Sequence, residues 1–412
     1  MDNPEQGKSR PLLPKDRSAV VQIPPIRIIE SWYDSPTDFE VALERFELAP
    51  SLVEYERLSA YVFTRTVQRG DMSLDDQLRT AEIAEAAKAL PLSKQIVPKI
   101  IGTAYNITPW PPKVLSMLLR WVKMAPQLDQ KIPPMTLDLK EDLVPLINKM
   151  TLRFGGEFRL AFEEVAERIT FLPLDHPQGG MTLSVHDTKP VAFVKYADDI
   201  PSGRRYIHEL AHLINLEVAR NSNPPETYRP TDFTSETIAA SLEHIYYNIL
   251  ITAARDYPDM RSRAVYQYCV YIWNAFVTSV IFARANYEWS KRTRADGDET
   301  LWVPQIHKNL CLWGGVELTE KELFTEHWKD RTLHANANYA AATAIGFHVA
   351  CNVWEGTNDF RRGFNNALAA GSDTSPSSIL ARCGVNIHQR GNLVDIMTAF
   401  NTMFTSLVSK FL

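Results

Sequence analysis

Only one stretch of this 412-residue chain carries a strand signal. MTLSV (Met181–Val185) and VAFVKY (Val191–Tyr196) are short β-branched and aromatic runs, and His186-Asp187-Thr188-Lys189-Pro190 joins them as a hairpin. Elsewhere apolar residues recur at spacings of three and four, as in FEVALERFELAPSLVEYERL, and this helical pattern runs from Ser35 to Lys88. The class is therefore mainly α with a small β element. Prolines recur between Pro91 and Pro134, each lacking an N–H and disfavouring helix in its predecessor, which predicts short helices and turns. A long helix is expected over Glu141–Arg168, where Gly155-Gly156 can interrupt it. The apolar window Tyr266–Ala283 contains Gln267, Asn274, Thr278 and Ser279, so it predicts a buried helix rather than a membrane span.

Beyond the hairpin, Ser202 is placed to cap a helix running to about Ala219, and a second helix is expected from Thr234 or Ser235 past Ile251. The first of these contains His208-Glu209-Leu210-Ala211-His212. Two histidines four apart on a helix share one face, so both imidazoles can reach one ion. Neutral imidazole suits zinc, and a catalytic zinc keeps three protein ligands and an open position. The ion polarises a carbonyl and lowers the pKa of water toward about 7, while Glu209 can take the proton as that water attacks. A third ligand is expected from the second helix. Glu236 and Glu243 are the candidates, seven residues apart and so near one face. Glu236 is expected in the first turn, where the helix dipole favours a carboxylate. Glu243 is then expected to orient a ligand histidine. His244 points about 100° away from Glu243.

Composition narrows the function classes. With 44 Lys+Arg against 49 Asp+Glu, the formal charge is −5 and no basic run exists to bind nucleic acid. The amino terminus has no apolar segment followed by a small-residue cleavage site, so no secretory signal is read there. Cys269, Cys311, Cys351 and Cys383 lie far apart, which excludes a thiolate zinc site and suits a reducing, cytoplasmic compartment. No membrane or nucleic-acid partner is expected.

The residues around the motif resemble a family. ADDIPSGRRYIHELAH is similar to the run into the zinc helix of the oligoendopeptidase F and thimet oligopeptidase group of zinc metallopeptidases. TDFTSETIAASLEHIYYN resembles the stretch in which that group places its third ligand, and the ligand falls on Glu236. FNNALAAGSDTSPSSILARCGVNI (Phe364–Ile387) is similar to the closing segment of oligoendopeptidase F. The resemblance covers roughly residues 157–412 and implies a zincin-like helical metallopeptidase fold. It also implies a Zn2+ cofactor held by His208, His212 and Glu236, and cleavage of amide bonds in short peptides or small amide-containing molecules.

Two departures from the family stand out. The chain is shorter, and the missing length falls ahead of the zinc helix. In the catalytic loop the family carries a histidine followed by several tyrosines that bind the oxyanion. The corresponding TLHANANYAAATAIGF keeps His334 and Tyr339, with Ala341 and Thr343 where further tyrosines are expected. His334 and Tyr339 are thus the expected catalytic partners of Glu209. Three regions follow: a disordered tail (1–22), an amino-terminal helical region (23–150) and a zinc-binding catalytic region (151–412). The rival readings are a tailoring enzyme for a small non-peptide or modified metabolite, and a non-catalytic binding protein on the same scaffold. The intact Glu209 argues against the latter. Arg204 and Arg205 are expected to be solvated, with a substrate carboxylate as the alternative role. Tyr266, Tyr268 and Tyr271 are read as core or channel lining, and Cys311 and Cys351 as buried packing rather than reactive thiols.

Overall fold

The computed structural model describes residues 36–48, 58, 112–175, 179–184, 189–224, 227–230, 232–278, 332–386 and 389–412. The expected tail and Cys311 lie outside them, as does most of the helical pattern between Ser35 and Lys88. Helix α1 (Pro36–Leu48) realises the start of that pattern and buries Phe39, Leu43 and Phe46 on one stripe.

The proline-rich stretch differs from expectation. From Pro112 the chain forms one twenty-residue helix, α2 (Pro112–Lys131), that continues through Pro126. Pro112 occupies the first position, where a missing N–H costs nothing. Pro126 is exposed, so water can satisfy the carbonyl it leaves unpaired. The long helix expected over Glu141–Arg168 is divided at Gly155, whose φ of 96° is open to glycine and strained for other residues. A π-helical turn (Leu139–Leu143) leads into α3 (Val144–Phe154), and α4 (Gly156–Val165) follows, with its last turn tightened to 3₁₀ at Ala166–Arg168.

The chain then enters a strand that the pattern did not reveal, β1 (Ile169–Leu172). With β2 (Gly180–Leu183) and β3 (Val191–Lys195) it makes a three-stranded sheet in the order β1-β3-β2. The antiparallel pairing expected of the hairpin is present, Leu183 opposite Val191 and Gly180 opposite Val194, while turn residues 186–188 lie outside the described residues. β1 pairs parallel with β3, Ile169 opposite Ala192. Its register comes from a partner more than twenty residues away, so no local turn marks it.

Two long helices carry the core. α5 (Ile200–Ser222) packs under β2 and β3, and α6 (Asp232–Ala253) packs along α5. α7 (Pro258–Ile272) continues as a π-helical segment, Trp273–Thr278, through the described part of the apolar window. α8 (Thr332–Glu355) lies against α6. A Cβ on Gly346 would stand 2.8 Å from the Ala240 Cβ and 2.9 Å from the Ser241 nitrogen, so α8 and α6 approach closely where neither presents a large side chain. α9 (Asn358–Leu368), α10 (Pro376–Arg382) and α11 (Arg390–Val408) complete the described helices. Asn215 on α5 donates to the Leu368 carbonyl at 2.8 Å, and Glu217 pairs with Arg168 at 2.6 Å, which ties α5 to both flanks. The protein is thus mostly helical with one small sheet. Among the described residues no helix is long and apolar enough to cross a membrane.

Candidate metal centre

The chain reaches the site through a sharp turn between β3 and α5. Asp198 adopts a left-handed conformation (φ 52°), which aspartate tolerates better than most residues. Asp199, not Ser202, is the cap of α5. Its carboxylate accepts from the Ser202 amide at 2.7 Å, and the Ser202 hydroxyl accepts from the Asp199 amide at 3.2 Å. This reciprocal arrangement satisfies two otherwise unpaired donors. Pro201 follows in the first turn. The cap fixes where α5 begins and hence which face carries His208, Glu209 and His212.

The Nε2 atoms of His208 and His212 lie 3.0 Å apart. The Glu236 carboxylate stands 3.6 Å from each of them. Four-coordinate zinc, with ligands at about 2.0–2.1 Å, separates its donor atoms by about 3.3 Å. The two imidazole nitrogens and the Glu236 carboxylate therefore fit the ion, and among the described residues His208, His212 and Glu236 are the one such cluster. Glu236 is the fifth residue of α6, because that helix starts two residues before the expected position. It sits at the start of the second turn, where the dipole contributes less than the sequence suggested.

The far edge of the His212 ring meets a hydroxyl, and that of His208 faces a carboxylate. His212 Nδ1 is 2.8 Å from the Ser235 hydroxyl, and His208 Nδ1 is 3.2 Å from the Glu243 carboxylate. A partner on Nδ1 fixes the ring orientation and leaves Nε2 to face the shared point. Glu243 thus faces His208, the candidate ligand beside which the sequence reading expects an orienting group. It is buried at 3% exposure, paired with Arg204, and accepts from the Tyr271 hydroxyl at 2.7 Å. The Arg204 guanidinium also lies over the Tyr271 ring, 5.3 Å from its centre. The expectation of a solvated Arg204 fails: its side chain turns inward to the carboxylate of α6. Arg205 is half-buried and donates to the Lys195 carbonyl at 3.0 Å.

Charges follow this geometry. Burial alone would raise the Glu243 pKa, but Arg204 and then His208 hold it down at about 2. For His208 burial opposes protonation, yet Glu243, with Glu236 and Glu209 behind it, lifts the pKa to about 9. Burial, reinforced by His208, pushes His212 well below the usual imidazole range. Burial raises Glu209 despite the opposing pull of His208 and of the Thr182 hydroxyl, which donates to its carboxylate at 2.7 Å. A raised carboxylate is a better proton acceptor for general-base work. β2 passes directly over it: a Cβ on Gly180 would lie 2.8 Å from Glu209 Oε1.

A cavity of about 440 Å³ opens beside the cluster, lined by His208, Glu209 and Glu236 together with Arg204, Arg205 and Tyr271. Tyr271 is the channel-lining member of the tyrosine trio. Tyr266 donates to the Ala125 carbonyl, and Tyr268 meets His244, both in the core. Thr343 of α8 reaches the same cavity. His334 and Tyr339, expected in a loop, fall within the first eight residues of α8. Their side chains lie outside the described part of the structure. Cys269, Cys351 and Cys383 are unpaired thiols; Cys269 and Cys383 are buried, whereas Cys351, expected to be buried, is only half-buried.

The sequence reading missed Thr182 and Ser235 as parts of the site, and left Tyr271 undecided between core and channel lining. Ser235 carried a faint signal as the neighbour of Glu236. Thr182 and Tyr271 reach the site only through sheet pairing and helix packing.

No family model and no curated protein matches the sequence. Solved structures share the fold at low identity. Pz peptidase A in complex with an inhibitor superposes with a TM-score of 0.55 and 13% identity, over 90% of this chain and 67% of that one. A candidate peptidase from Chlamydophila abortus gives 0.54 and 13%, over 89% and 67%. A candidate oligoendopeptidase F from Bacillus anthracis strain Ames gives 0.50 and 12%, over 89% and 69%. The chain spans about two thirds of the length of these structures and shares their helical fold.

Proposed function

We propose that this protein is a zinc-dependent hydrolase that cleaves amide bonds in short peptides or peptide-like molecules. The observation that carries the reading is the convergence of three donor atoms from His208, His212 and Glu236 at zinc-like separations, with Glu209 beside them. Zinc at such a site supplies Lewis-acid polarisation of the carbonyl and activation of the attacking water. Glu209 then serves as general base, its carboxylate aimed by Thr182 and confined by the Gly180 backbone. Glu243 keeps His208 turned toward the ion, and Ser235 does the same for His212.

The developing oxyanion needs a donor opposite Glu209. Tyr339 precedes Thr343 by four residues on α8, hence on the same helical face, and Thr343 lines the cavity. Tyr339 is assigned that role, with His334 as the second candidate. The fold likeness to peptidases supports the choice of amide substrates. The described cysteines, Cys269, Cys351 and Cys383, are unpaired, which accords with a reducing, cytoplasmic setting.

The test is a Glu209→Gln variant assayed against a quenched peptide library and an intracellular metabolite extract. It should keep its metal while losing turnover on whichever substrate the wild type depletes. A variant turning over at near wild-type rate would remove Glu209 as the base.

A further inference from the structure

The substrate-facing side of the cavity contains a cation that the proposed chemistry does not use. Arg205 stands four residues before Glu209 on α5, so the two side chains share a face one helical turn apart. Both lie against the start of β2. A Cβ on Gly179 would meet Arg205 Cδ at 3.0 Å and Nε at 3.2 Å, while a Cβ on Gly180 would meet Glu209. The two adjacent glycines let the β2 backbone lie flat on Arg205 and Glu209 together. The Arg205 stem is therefore clamped, and its Nη1 is tied to the Lys195 carbonyl at 3.0 Å.

That hydrogen bond is the only one Arg205 makes among the described residues, and its acceptor is a neutral carbonyl. Arg204, its neighbour, is neutralised by Glu243. Asp199, whose charge also reaches Arg205, is engaged as the cap of α5. Arg205 thus presents a preoriented guanidinium edge to the cavity it shares with His208, Glu209 and Glu236. A planar fork of this kind suits bidentate capture of a carboxylate.

We propose that Arg205 is the substrate-anchoring residue of the site, and that the preferred substrates carry a carboxylate within about one helical turn of the scissile amide. The carboxylate is either the free carboxy terminus of the leaving amino acid or an acidic side chain near it. This inference rests on the metal-centre reading above.

Succinyl peptide hydroxamates, which seat on zinc directly, separate the two. One pair ends in alanine as the free acid or as the amide, and the other ends in glutamate amide or glutamine amide. Binding to the zinc-loaded full chain is measured by calorimetry, with zinc content checked in parallel. In at least one pair the acidic member should bind about 10–100-fold more tightly, as expected for a charge-assisted hydrogen bond. The pair that shows the gap identifies the source of the carboxylate. Arg205→Met should close the gap and leave the neutral members unchanged. Arg205→Lys, which keeps the charge without the fork, should retain part of it. Equal binding within both pairs would overturn the proposal, as would a gap that survives Arg205→Met. Failure of the neutral hydroxamates to bind zinc-loaded protein would instead remove the metal-centre reading, and this inference with it.

Discussion

The Glu243 carboxylate lies 3.2 Å from Nδ1 of His208, on the ring edge opposite the nitrogen that meets His212 and Glu236. One helix, α6, therefore supplies both a candidate ligand and a carboxylate that faces the other edge of a second candidate ligand. Two glutamates seven residues apart play different parts because they meet opposite edges of the His208 ring. Glu236→Ala should lose the metal outright. Glu243→Ala should keep it with roughly a 10–100-fold loss of affinity, the usual effect of removing a residue that orients a ligand. Competition titration with a zinc chelator measures both, and reversed outcomes would exchange the two assignments.

Arg204 has no counterpart in that division of labour except as the charge that keeps Glu243 ionised. Arg204→Met leaves a buried carboxylate without its cation and should cost roughly 3 kcal/mol of stability. The double variant Arg204→Met/Glu243→Leu removes both charges and should recover much of that loss. Urea denaturation of the metal-stripped proteins gives the comparison. Additive losses in the double variant would show that the pair is not coupled.

Gly180 leaves room for the Glu209 carboxylate and for nothing larger, since a Cβ there would stand 2.8 Å from Oε1. Gly180→Ala should push Glu209 aside and lower turnover by about 100-fold, the scale expected of an ångström-level misplacement. Metal content should not change, because Gly180 touches the base and not the ligand set. Normal turnover in this variant would mean that Glu209 does not act from its observed position.

His244 makes a pH prediction away from the ligands. Its Nε2 donates to the Thr343 carbonyl at 2.9 Å, and Nδ1 accepts from the Tyr268 hydroxyl at 2.7 Å, so the ring is held neutral. Burial lowers its pKa to about 4 against the opposing pull of the Thr343 carbonyl. The unfolded chain binds the extra proton between the two pKa values. The contribution to stability is therefore complete above about pH 6.5 and lost as pH falls through 4. It amounts to roughly 3 kcal/mol. Denaturation midpoints of metal-stripped wild type and His244→Gln should differ in slope between pH 4.5 and 7, with the wild type falling more steeply. Parallel slopes would contradict the neutral ring.

Much of the candidate site was legible because its clustered side chains obey helical spacing. His208 and His212 share a face by being four apart, and Glu236 lies where a second helix follows. The hairpin was legible from MTLSV and VAFVKY, and the break at Gly155 from a glycine pair. β1 was not legible, because ITFL runs on from α4 without a turn and finds its partner far along the chain. Pro126 was misread because proline's cost depends on exposure, a tertiary property. Arg204 was misread for a similar reason: an arginine near a helix start looks solvated until the helix beside it brings a carboxylate. Tyr271 lies 28 residues beyond Glu243, and only the packing of α7 on α6 joins them.

The account stands on one bound zinc. Elemental analysis of the purified, dialysed full chain measures it directly, with His208→Ala/His212→Ala in parallel. One zinc per chain in the wild type and none in the double variant is the predicted result. A wild-type chain without stoichiometric metal after zinc loading, or a double variant that binds as much as the wild type, would contradict it.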